Sequence, residues 1–91
     1  MKKEREMLSL THKIKAENGM HARPAGALAV CAKKFTSDIK VKKGEKEADA
    51  KRLLSLMSLG AVCSDVIEVT ISGEDEKTAY EEIKSFLEQS L

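Results

Sequence analysis

Two short strand-like stretches lie almost end to end in the middle of this chain. Ile39 and Val41 alternate with Lys40 and Lys42, the period of a strand with one buried face. After Lys43-Gly44-Glu45 the extended pattern resumes over Lys46 to Ala48. A link that short can only return the chain antiparallel, because a parallel return needs a crossover of roughly a dozen residues or more. An all-parallel, doubly wound sheet is therefore excluded. The charges of the second stretch suit a sheet edge that must not recruit another strand.

The remaining elements arrange themselves around that hairpin. Leu8, Leu10, His12 and Ile14 alternate with Ser9, Thr11, Lys13 and Lys15, which predicts a first strand over Leu8 to Lys15. His12 shares the apolar parity and reads as a packed or strand-end residue. A helix is predicted from Ala22 to Lys34, with Ala25, Leu28, Ala29, Ala32 and Phe35 as its buried stripe and Val30 left on the other side. Asp49 is expected to cap a short helix ending near Leu59, with Gly60 as its stop. Val66, Ile67, Val69 and Ile71 give a fourth strand. Past Ser72-Gly73, a last helix is expected from about Asp75, with Ala79, Ile83, Phe86, Leu87 and Ser90 recurring at helical spacing and Tyr80 at the margin. The order β-α-β-β-α-β-α makes the fold class α+β. Its economical form is an open-faced β-sandwich, a four-stranded antiparallel sheet with three helices on one face.

Ninety-one residues suffice for one small domain, expected over residues 8–91. Residues 1–7 are mostly charged and aperiodic and read as a disordered extension, with Met7 an alternative start. Sixteen basic against 15 acidic residues leave no global charge to drive binding to nucleic acid or membranes, and 3% aromatic residues are too few for a base-stacking surface. No apolar run has the length of a membrane span and no signal-peptide core follows the charged start, so the chain reads as cytoplasmic. Cys31 and Cys63 make no disulfide framework; Cys31 reads as a buried thiol and Cys63 as exposed. With His12 and His21 they lack the short spacings of a zinc site, so no metal is expected.

The chemistry is concentrated in Asn18-Gly19-Met20-His21-Ala22-Arg23-Pro24-Ala25. Pro24 is tolerated in a first helical turn, where backbone N–H groups lack intrahelical partners. The free amides of Ala22 and Arg23 and the positive end of the helix dipole would then face whatever His21 carries. A neutral imidazole is a good nucleophile toward phosphorus, and the Arg23 guanidinium can hold two phosphoryl oxygens in its planar fork. Asn18 and Gly19 read as the turn that presents the histidine. A bare His-x-Arg-Pro is a short motif that ordinary surface residues often produce.

A second block alters that balance. Lys51 followed by Leu53-Leu54-Ser55-Leu56-Met57-Ser58-Leu59-Gly60, in this order after the histidine motif, resembles the second helix of the histidine-containing phosphocarrier (HPr) family of the bacterial sugar phosphotransferase system. The resemblance runs from about Leu8 to the C-terminus. It implies the open-faced sandwich, phosphorylation of His21 on Nδ1 with Arg23 as its partner, no bound cofactor, and a carrier rather than a stand-alone enzyme. It also implies Enzyme I as phosphoryl donor and the IIA domain of an Enzyme II as acceptor. Leu53, Leu54 and Met57 are similar to the family's exposed docking patch, which Val30 and Arg52 would extend, while Leu56 and Leu59 read as core. Many relatives carry a regulatory serine directly after the lysine of this block; here the position is Arg52, so serine-directed regulation should be absent. A monomer is the default for a carrier that meets several partners through one face. Two other outputs stay open: a nitrogen-related branch of the same system, and a regulatory module docking on enzymes or transcriptional regulators through Val30, Leu53, Leu54 and Met57. The pairing of His21 with Arg23 favours the relay, since docking alone needs neither.

Overall fold

The computed structural model describes residues 7–91. Seven elements follow in the expected order: β1 (Leu8–Lys13), α1 (Ala22–Lys33), β2 (Asp38–Lys43), β3 (Lys46–Asp49), α2 (Leu53–Ser58), β4 (Val66–Ser72) and α3 (Glu76–Ser90). The sheet order is β1-β4-β2-β3, and every neighbouring pair is antiparallel. The α1 connection places β1 and β2 one strand apart, and β4 fills the slot between them, antiparallel to both. Gly44 turns the β2–β3 hairpin at φ +60°, with Lys43 opposite Lys46. Met7 is exposed ahead of β1, and the rest of the expected extension, residues 1–6, lies outside the described residues.

Strand parity decides the core. Ile39 and Val41 of β2 and Ile67, Val69 and Ile71 of β4 are buried under the helices, while Lys40 and Lys42 stand on the open face. Val66, one residue out of phase, is exposed. The helices close the other face with the stripes read from the sequence: Ala25, Leu28, Ala29 and Ala32 of α1, with Phe35 just past its end, and Ala79, Ile83 and Leu87 of α3. Phe86 and Tyr80 pack against this cluster, half-buried. Ser90 departs from expectation: it is exposed, and Leu91 closes that end of the core instead. His12 is half-buried opposite Ile67, as its parity required, and its Nε2 is out of solvent with no partner among the described residues.

Element ends differ where side chains or turns intercept the backbone. Strand β1 ends at Lys13 rather than Lys15: the Ile14 N–H still reaches Asp65 O at 2.8 Å, but the Lys15 and Ala16 N–H groups both turn to Leu91 O. Asp49 does not cap α2. Its carboxylate accepts the Lys51 N–H at 2.9 Å, making a tight turn, and Arg52 becomes the N-cap of a helix that starts at Leu53. Lys51 then reaches across to donate to Phe35 O at 2.8 Å, tying the entry of α2 to the exit of α1. Asp75 is the N-cap of α3 by position, but its carboxylate accepts the Thr36 and Ser37 N–H groups and the Ser37 hydroxyl, which pins the α1–β2 connection. Gly73 passes so close to Ser37 that an added Cβ would lie 2.5 Å from the Ser37 Cα.

Candidate functional site

Helix α1 opens on His21. This residue is extended (φ −98°, ψ −174°) and its carbonyl accepts the first intrahelical bond, from Ala25 N–H at 2.9 Å. The N–H groups of Ala22 and Arg23 have no acceptor among the described residues. Pro24, third in the helix, has no N–H to offer. The helix mouth therefore presents two free donors, both beside His21. The imidazole is exposed and makes no capping bond, and the Arg23 guanidinium is exposed and unpaired among the described residues. His21, Arg23 and Pro24 line an open depression with Asn18, Ala27 and Ser90.

The chain approaching His21 is held from below. Gly19 N–H donates to Ala16 O at 3.0 Å, His21 N–H to Gly19 O at 3.0 Å, and Met20 N–H to Ala61 O at 2.9 Å, with the Met20 side chain buried. Gly19 has φ +66°, and a Cβ there would lie 2.5 Å from Ala61 O and 2.7 Å from the Val62 Cα. Only glycine fits this crossing. Its place before the histidine is thus set by contact with the α2–β4 connection as well as by turn chemistry.

Beside the helix mouth lies an apolar patch. Leu54 is 78% exposed and Val30 67%, while Leu53 and Met57 are each 38% exposed. Leu56 and Leu59 are buried, as the spacing required. Gly26 makes the α1–α2 crossing close, for an added Cβ would stand 4.0 Å from Leu53 Cδ1. Val30 sits two helical turns beyond Arg23 on the same side of α1, roughly 10 Å along its axis. Val62, 55% exposed on the loop that holds Gly19, is a further exposed apolar residue, and its place between helix and strand leaves no periodic signal to mark it. Arg52 stands at the start of α2, exposed and unpaired among the described residues. Cys63 is exposed, as expected, while Cys31 is half-buried against the core rather than fully buried.

Three comparisons converge on the same identification. The profile described as "PTS HPr component phosphorylation site" matches residues 8–89. The phosphocarrier protein HPr of Buchnera aphidicola subsp. Baizongia pistaciae is 44% identical over 75 residues, covering 82% of this chain and 88% of its own, and that of Vibrio cholerae is 40% identical over 76 residues, covering 84% and 89%. The crystal structure of an HPr from Thermoanaerobacter tengcongensis superposes with a TM-score of 0.85 at 36% identity, covering 89% of this chain and 91% of that one. With the β-α-β-β-α-β-α sandwich and a histidine and arginine at the mouth of its first helix, the chain belongs to the HPr family of phosphocarrier proteins.

Proposed function

We propose that this protein is a phosphoryl relay that accepts a phosphoryl group on His21 Nδ1 from phospho-Enzyme I and passes it to the IIA domain of a sugar-specific Enzyme II. The Nδ1 lone pair attacks phosphorus, the donor's bond to phosphorus breaks, and the donor keeps that electron pair. The observation that carries the reading is the pair of free N–H groups at Ala22 and Arg23 beside an exposed imidazole. Nδ1 is the ring nitrogen nearer the backbone, so a phosphoryl group there sits closest to those amides and within the reach of the Arg23 fork. A helix terminus stabilises an anion by only about 0.3–2 kcal/mol. That modest strength suits a carrier, which must release what it accepts.

Val30, Arg52, Leu53, Leu54 and Met57 form the face on which both partners would dock, and a monomer leaves that face open. Arg52 cannot accept a phosphate, so regulation by a serine-directed kinase at that position is absent. The protein binds no cofactor and is not a catalyst on its own; the donor and acceptor proteins complete the reaction. The test is transfer of labelled phosphate from phosphoenolpyruvate through purified Enzyme I. Wild type is expected to label, His21→Ala to stay unlabelled while folded, and Arg23→Ala to label more slowly because the two amides remain. Labelling of His21→Ala at the wild-type rate would overturn the assignment.

A further inference from the structure

The loop beneath His21 is itself nailed down by a charged pair that the chemistry at the helix mouth does not use. Asp65 Oδ2 accepts the Val62 N–H at 2.8 Å and lies 3.2 Å from Lys43 Nζ, and the Asp65 N–H donates back to Val62 O at 3.0 Å. Lys43 Nζ also donates to Gly60 O at 3.1 Å. Both side chains are only about one-third exposed, at 34% and 28%. The Val62 N–H, and after it Lys43, holds the Asp65 carboxyl below the usual carboxylate range. Ala61 and Val62, fixed in this way, are the two residues on which Gly19 and Met20 are seated.

We infer that Asp65, braced by Lys43, is a positioning residue for phosphoryl transfer at His21. It acts through the Ala61–Val62 backbone: the Met20 N–H hangs from Ala61 O, Gly19 abuts Val62 with no room for a Cβ, and the His21 N–H is bound to Gly19 O. If that backbone shifts, the imidazole shifts against the Ala22 and Arg23 amides, while the α2 docking patch stays in place. In-line transfer is sensitive to such displacement, since a misplacement of about 1 Å can cost on the order of 100-fold in rate. The inference rests on His21 being the phosphoryl acceptor.

The test compares wild type, Asp65→Asn and Asp65→Ala at a temperature where circular dichroism finds all three folded. Steady-state transfer from phospho-Enzyme I is measured together with hydrogen exchange of the Met20 amide. Asp65→Ala should lower kcat about tenfold or more with KM nearly unchanged. Asp65→Asn should fall between, because its amide oxygen can still accept from Val62 N–H. The Met20 amide should exchange at least tenfold faster in Asp65→Ala than in wild type, while amides in the middle of β4 keep their protection. A stable, folded Asp65→Ala with wild-type kcat overturns the inference, as does unchanged Met20 exchange. If wild type itself took no phosphate, the reading of His21 would fail on its own, and Met20 exchange would decide whether Asp65 holds the loop.

Discussion

At Gly19 a single methyl group would collide with the Ala61 carbonyl and the Val62 backbone, in a conformation (φ +66°) that side chains resist. Gly19→Ala is expected to lower stability by about 1–3 kcal/mol and to slow transfer at His21, since the residue that must move is two positions away. Denaturant titration and a transfer assay on the folded fraction would check both halves. Ser64 presents the converse case. It holds φ +79° without being glycine, and its N–H is committed to Ile14 O at 2.7 Å. Ser64→Gly should therefore raise the unfolding free energy, measured by denaturant titration, by roughly 1 kcal/mol, because relief of left-handed strain outweighs the added chain entropy. The two thiols also separate at this scale. Burial pushes the Cys31 thiol up, while Cys63 is exposed, so a limiting thiol reagent should label Cys63 first, as mass spectrometry of the digested protein would show.

Helix α3 begins at an acid whose work is done elsewhere. The Ser37 hydroxyl, and then the Thr36 N–H, hold the Asp75 carboxyl below its ordinary value. A carboxyl lowered in the folded state lends stability above the usual carboxylate range, and that stability is lost as pH falls through the folded value. Unfolding midpoints measured between pH 7 and pH 2 should drop on the acid side for wild type, with a smaller drop for Asp75→Asn. Helix α2 carries a different kind of charge effect. Arg52, the exposed N-cap beside Leu53 and Leu54, adds positive charge to the proposed docking face. If Enzyme I meets that face with acidic residues, Arg52→Glu slows transfer and Arg52→Ala does so less. The difference should shrink at high salt, since surface charge is screened over about 8–10 Å near physiological ionic strength. Equal rates for all three proteins would make Arg52 a bystander. These elements also mark how far the sequence could be read. The stripes of α1 and α3 and the alternation of β2 were legible because burial imposes a period on neighbours in sequence. The start of α2 was misplaced because an aspartate can serve a turn as readily as a helix cap, and Asp49 does the former. The clasp of Asp75 on Ser37 and that of Asp65 on Lys43 leave no periodic trace, as they join residues that only the folded sheet brings together.

On the proposed reading, the whole molecule is a platform for His21 at the mouth of α1. The sheet and the stripes of α1 and α3 bury one face, and the open face carries Lys40, Lys42 and Glu68 beside Thr11, Thr70 and the exposed Val66. Partners of the proposed relay would meet the mouth of α1 and the exposed residues of α2 next to it. His21 and Arg23 were legible as a chemical pair at a predicted helix start, while the exposure of Leu53, Leu54 and Met57, apolar residues that would equally suit a core, was legible only through the resemblance of their block to the HPr family. The seat beneath them, from Val62 to Asp65, was not, since it acts through backbone contacts at Gly19 and Met20. A relay built this way should hold one phosphoryl group, briefly, at one atom. The direct measurement is to charge the protein with phosphoenolpyruvate and Enzyme I and locate the phosphate by phosphorus NMR and mass spectrometry. One acid-labile, base-stable phosphate on His21 Nδ1, discharged on adding a IIA domain, is the expected result; no incorporation, or an acid-stable phosphate on Ser55 or Ser58, would contradict the relay.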